Sequence, residues 1–153
     1  MSGRCRPERP AQRITLQIDS SLQQTPLVAM AIRGLCGLTE LPVEAVNRIE
    51  LGVVEVVNNA IEHAYAGRAG QPVEVEVVLT THQHMEIIVR DCGESMDSAL
   101  VEGGAMTVPD PDDPGTWLSS GRGLAIVRQL IDEIWYETVD GQNAFHLLCH
   151  LPS

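Results

Sequence analysis

Apolar and polar positions follow two different periods along this chain. In RITLQI, residues 13–18, they alternate by two, the period of a strand with one covered face. Residues 22–38 change to helical spacing, and Gly37 stands where that helix should stop. Pro42 can open a second, longer helix running through Ala66, with Gly67 closing it. PVEVEVVLT (72–80) and MEIIVRD (85–91) return to the strand period, and the short turn THQH between them predicts a hairpin. Residues 98–119 include GGAMTVPDPDDPG, a long loop by composition, and such loops inside a compact domain are functional or disordered. A helix over 121–132 follows, and strands 134–140 and 143–151 finish the chain around the turn signal Asp140-Gly141.

The predicted order is β-α-α-β-β-loop-α-β-β. Short turns pair successive strands antiparallel, and the helices need one sheet face to cover. The expectation is an α+β fold, a two-layer sandwich with a mixed, mostly antiparallel sheet and helices on one face. A length of 153 residues suits a single domain, taken as 13–153 behind a disordered arm over residues 1–12.

Composition narrows the function. Aromatic residues make up only 3% of the chain, so the core is aliphatic. The formal net charge of -11 opposes binding to nucleic acid, and an anionic ligand would need its charge met locally. No apolar run is long enough to cross a membrane, and the basic start MSGRCRPERPAQR is not followed by an apolar stretch, so a cytoplasmic protein is expected. Cys5, Cys36, Cys92 and Cys149 form no CxxC pair, which fits reduced thiols better than a zinc site or a disulfide framework. His82 and His84 lie two apart in a turn, but no third metal ligand is in register with them.

Three stretches carry chemistry. In EVVNNAIEHAY (55–65), Glu55, Asn58, Asn59, Glu62 and His63 share one arc of the long helix, opposite Val53, Val56, Val57, Ala60, Ile61 and Ala64. A polar arc alone suits solvent, yet two adjacent Asn residues are poor helix formers. Glu55 and Asn59, one turn apart, offer a carboxylate and a carboxamide oxygen, a pairing that suits Mg²⁺ or a base beside a metal-bound phosphate. In DCGESMD (91–97), Asp91 ends a strand and Gly93 permits a tight bend; the carboxylate can accept a purine amine, or simply form an Asx turn. In SSGRGLAIV (119–127), two glycines open a helix whose free N–H groups suit an anion, with Arg122 adding charge; a serine N-cap is the plain alternative. Each stretch alone is weak. The last is neither a Walker A loop nor a Rossmann fingerprint.

Their order is specific. Together they resemble the N, G1 and G2 boxes of the GHKL (Bergerat) ATP-binding fold, shared by gyrase-type ATPases, histidine kinases and MutL-type repair proteins. The size and detailed motifs are similar to anti-sigma-factor serine kinases of the RsbW/SpoIIAB type, and the resemblance covers roughly residues 13–151. It implies that Glu55 orients or deprotonates the attacking hydroxyl and that Asn59 binds Mg²⁺. It implies an adenine contact by Asp91 shaped by Gly93, with Ser95 and Asp97 in the same box, and triphosphate binding by Gly121, Arg122, Gly123 and Leu124. Residues 98–120 become an ATP lid, and Asn58 a supporting residue. Ser95 stands where many GHKL members have a second glycine, as it often does in the RsbW-like branch.

The resemblance further implies a serine kinase that phosphorylates a STAS-domain antagonist and holds a sigma factor or similar regulator, switching between these partners. A non-catalytic ATP-binding adaptor is the alternative; the retained Glu55 argues against it, since a carboxylate beside polyphosphate weakens binding. A detached histidine-kinase catalytic domain would need a phosphoacceptor hairpin for which the predicted elements leave no room, and a gyrase-type ATPase would need a transducer domain. Trp117 and Trp135 are candidates for partner surfaces. Ala29, Ala31 and Ile32 on helix 22–38 suggest a face for a homodimer.

Overall fold

The computed structural model describes residues 12–80, 83–96 and 127–152. Strand β1 spans Gln12–Asp19, followed by a single 3₁₀ turn Leu22–Gln24 and helix α1, Thr25–Cys36. Helix α2 is Val43–Asn59 and widens into one π turn, Ala60–Ala64. Strands β2 (Pro72–Thr80) and β3 (His84–Asp91) form the expected hairpin, and β4 (Glu133–Val139) and β5 (Gln142–His150) form the last one. Asp140 and Gly141 both take positive φ in its turn, as the Asp-Gly signal predicts. The arm over 1–11, the lid segment 98–120 and positions 121–126 lie outside the described residues, and residues 127–130 are helical as expected.

The five strands form one sheet in the order β1-β2-β3-β5-β4, and every pairing among the described residues is antiparallel. One face carries Val73, Val75 and Val77 of β2, Met85, Ile87 and Val89 of β3, and Phe145 and Leu147 of β5, all buried in one core with Val28, Ile32, Val53 and Val57 from the helices. Val127 and Ile131 close the same core. Ile131 packs so tightly that a Cβ on Gly52 of α2 would lie 3.0 Å from its Cδ1. The opposite face explains the acidic residues of VEVEVV: Arg90 bridges Glu74 at 3.0 Å and Glu76 at 2.9 Å, and Arg13 reaches Glu76 at 3.1 Å. Trp135 stands on this side, stacked on His146 with centroids 4.7 Å apart.

Two expectations change. Ile32 was placed on an outer face of helix 22–38, but it is fully buried, because Val28, Ile32 and Cys36 repeat every four residues toward the core. Leu27 and Met30 take the outer positions instead. The long helix also does not stay α-helical to Ala66. The amide of Tyr65 donates to the Ala60 carbonyl, one residue further back than in an α-helix, and Ala66 and Gly67 then turn out with positive φ.

That widened turn places Tyr65. Its side chain is 1% exposed, and its hydroxyl donates to Pro72 O at 2.6 Å and accepts from Cys92 N at 2.7 Å. One phenol thus ties the helix end to the start of β2 and to the loop after β3. Tyr65→Phe keeps the ring but strands both backbone groups, and should cost about 1–3 kcal/mol. A lower urea midpoint at unchanged m-value is the expected result.

Candidate functional site

The end of α2 and the ends of β3, β5 and β4 enclose a cavity of about 250 Å³. Sheet register builds its floor. Val89, Phe145 and Tyr136 lie in one cross-strand row, and Asp91, Asn143 and Thr138 lie in a second row two residues along each strand. The Tyr136 and Phe145 rings meet edge to face with centroids 6.1 Å apart. Val56, Asn59 and His63 of the helix form the facing wall, and Met96 reaches in from the loop.

Asp91 is the carboxylate at the centre of this site, and it is 8% exposed. Its Oδ1 accepts from Gly93 N at 3.0 Å and from Asn143 Nδ2 at 2.7 Å. The first contact is an Asx turn, so the plain reading of DCGESMD is correct as local structure and also serves the cavity. Burial raises the Asp91 pKa above the ordinary carboxylate value, while these two bonds pull it down.

Gly93 is required by a close approach, not by an unusual φ. A Cβ there would sit 2.3 Å from the carbonyl oxygen of Ala64. The next amide, Glu94 N, donates to that same oxygen at 2.8 Å. The loop after β3 therefore docks on the π turn through bare backbone. Met96 N donates to Tyr136 OH at 2.9 Å and fixes the far end of the loop. Ser95 does not face a ligand alone, since its hydroxyl donates to Asn143 Oδ1 at 2.8 Å.

The polar arc of EVVNNAIEHAY divides. At about 100° per residue it runs in the order Asn58, Glu62, Glu55, Asn59, His63. Asn59 and His63, at one edge, line the cavity with Asp91. Asn58, at the other edge, accepts a hydrogen bond from Thr25 Oγ1 at 2.9 Å and lines a separate groove with Glu62 beside the start of α1. Asn58 is thus a packing contact between helices. Glu55 lies between the two edges, half-buried and outside the cavity lining, and burial together with the nearby Glu62 raises its pKa. Asn59 Nδ2 donates to Met96 Sδ at 3.7 Å, which turns its Oδ1 away from the sulfur. Among the described residues no group of three or more His, Cys, Asp or Glu side chains could hold a metal. Asp97, Gly121, Arg122, Gly123 and Leu124 lie outside the described residues, as do His82 and Trp117.

A profile of the histidine kinase-like ATPase domain matches residues 18–147. The chain belongs to that family. The serine-protein kinase RsbW of Bacillus pumilus is 25% identical over 129 residues, covering 84% of this chain and 80% of the relative. RsbW of Listeria monocytogenes is 23% identical over 122 residues, covering 80% and 77%. Among solved structures, the RsbU and RsbW domains of Rv1364c from Mycobacterium tuberculosis superpose with a TM-score of 0.64 at 18% identity, over 93% of this chain and 33% of that one. The mycobacterial sensor histidine kinase MprB gives 0.54 at 16% identity, over 90% and 99%. The fold is therefore the GHKL-type α+β sandwich expected from the three motifs.

Four residues that build or brace this candidate site were not assigned a role from the sequence: Tyr65, Tyr136, Phe145 and Asn143. One signal was available. The chain has five aromatic residues, and three of them line this cavity or staple its floor. Asn143 carries no local signal, because its partners come from other strands.

Asp91→Asn keeps an Oδ1 acceptor for Gly93 and Asn143 but removes the buried charge. A raised carboxyl pKa in the folded state favours the protonated form. That contribution to stability is fully present below the ordinary value of 3.8 and is lost as pH rises through the folded value. At neutral pH the variant should therefore melt higher than the unaltered chain, with the difference closing on acidification. Gly93→Ala should instead lower the melting temperature, since the Ala64 carbonyl must move; overpacking of this kind costs about 1–3 kcal/mol. Thermal melts of both variants between neutral and acidic pH check the two signs.

Proposed function

We propose that this chain is a Mg-ATP-dependent serine protein kinase of the RsbW type, acting in partner switching. The observation that carries the reading is Asp91: a buried carboxylate, engaged through Oδ1, at the floor of a small apolar cavity between two aromatic rings and the Asn59 face of a helix. A flat heterocycle with one exocyclic amine fits that combination. Its amine would donate to Asp91 Oδ2, while Val56, Val89 and Phe145 would hold its faces. The cavity volume is just below the ~300 Å³ at which drug-sized pockets begin, so it suits the base and leaves ribose and phosphates to extend beyond it.

Gly121, Arg122, Gly123 and Leu124 would receive the phosphates, through backbone N–H groups and the Arg122 charge. Asn59, whose Nδ2 engages Met96, would offer its carboxamide Oδ1 to Mg²⁺, a cation that keeps several waters and takes few protein ligands. When bound, the ion would neutralise charge developing on the transferred phosphoryl group. Ser95 and Asp97 would belong to the base-binding loop. Residues 98–120 would cover the nucleotide.

Glu55 would accept the proton of the attacking serine hydroxyl. Desolvation and Glu62 both make it a stronger base than a solvated glutamate, and its place outside the base cavity suits the opposite, phosphate end of the ligand. The substrate would be a serine on a STAS-domain antagonist, and the competing partner a sigma factor or similar regulator in the cytoplasm. No helix of the described residues is long and apolar enough to cross a membrane. The same placement of Glu55 also fits a nucleotide-binding adaptor without phosphotransfer, so the decisive test is on that residue.

The purified chain, Mg²⁺ and γ-labelled ATP are added to a soluble lysate of the source organism, with Glu55→Gln run beside it. A single small phosphoserine band should appear and should fall by about 10²–10⁴-fold with the variant, while ATP affinity is retained or raised by loss of the carboxylate charge. ATP binding without any Glu55-dependent band would establish the adaptor instead.

A further inference from the structure

Asn143 is 1% exposed, and all its side-chain atoms are used. Its Nδ2 donates to Asp91 Oδ1 at 2.7 Å and to the Gly93 carbonyl at 3.1 Å. Its Oδ1 accepts from Ser95 Oγ and Thr138 Oγ1, each at 2.8 Å. The Gly93 carbonyl fixes which way the amide points. A carbonyl only accepts, so rotating the amide by half a turn would set oxygen against oxygen there and against Asp91 Oδ1 as well. The two hydroxyls hold the other end, and both can donate. Asn143 is therefore a donor to Asp91 that cannot reverse.

A buried carboxyl has two states with opposite hydrogen-bonding character. Ionised, its outer oxygen accepts; protonated, that oxygen donates. Burial favours the second state, and the donated bonds from Asn143 and Gly93 favour the first. A purine with an amino group at position 6 needs an acceptor, and a purine with a keto group there needs a donor.

We propose that Asn143 is a positioning residue that sets base specificity, holding Asp91 as a pure acceptor so that the cavity takes 6-amino purines and rejects 6-keto purines. The statement rests on the nucleotide reading of the cavity. It adds a residue on β5, 52 positions from Asp91 in sequence, that does not line the cavity and acts on the base through the carboxylate it bonds. Ser95 and Thr138 act one step further out, by locking the amide.

The test measures equilibrium binding of ATP and ITP, which differ in the group at position 6, to the full chain at neutral pH. The unaltered chain should prefer ATP by about tenfold or more, the usual effect of a mismatched buried hydrogen bond. Asn143→Leu, of similar volume but without donors, should lose ATP affinity while keeping or gaining ITP affinity, so that the preference collapses. Retained ITP binding also reports that the variant is folded. The double variant Ser95→Ala/Thr138→Val leaves Asn143 in place, unlocks its amide and should reduce the preference in the same direction; it carries the test if Asn143→Leu does not fold. Equal losses for both nucleotides, with the preference intact in the variants, would overturn the proposal, since a merely structural residue would act that way. An unaltered chain that binds both equally would overturn it too. Binding of neither nucleotide by the unaltered chain would overturn the nucleotide reading beneath it.

Discussion

The site depends on one close contact, the approach of the Gly93 backbone to the carbonyl of Ala64. No side chain fits between them, since an added Cβ would lie 2.3 Å from that oxygen. The contact brings the loop after β3 onto the helix end, and Glu94 N completes it with a hydrogen bond to the same oxygen. The helix wall, the end of β3 and the loop meet at this junction, above a floor set by strand register. The helix contributes Asn59 and His63, the strand contributes Asp91, and the loop contributes Met96. The π turn makes the approach feasible, because the wider turn carries Ala64 and Tyr65 away from the path of a continuing α-helix.

The chemistry of the site follows from a balance of burial against donated hydrogen bonds. Asp91 and Glu55 both have raised pKa values because water is excluded around them, but their settings differ. Asp91 is compensated by Asn143 and by its own Asx turn. Glu55 has a second carboxylate, Glu62, as a neighbour. The first arrangement suits a fixed acceptor, and the second suits a group that takes up a proton. Two acids on adjoining elements thereby sit in chemically distinct settings.

The rest of the molecule holds this arrangement rigid. The sheet buries one aliphatic face under the helices, and its other face satisfies its charges within itself through Arg13, Arg90, Glu74 and Glu76.

The sequence by itself determined the elements and most of the fold. Periods of two and of 3.6 located the five strands to within about a residue, and the first two helices with less exact ends, because those periods record which side of each element faces the core. It also located Asn59, Asp91 and Gly93, whose neighbours in the chain reveal a helix face and a strand-ending bend. It failed where one local period serves two environments. The arc of EVVNNAIEHAY looks uniform, yet the position of α1 turns Asn58 toward Thr25 while Asn59 turns toward the cavity. Only the tertiary structure decided the register that sets Asn143 beside Asp91 and Phe145 beside Tyr136. Strand register comes from pairing between distant segments, and a shift of one residue would send those side chains to the other face without changing any local pattern.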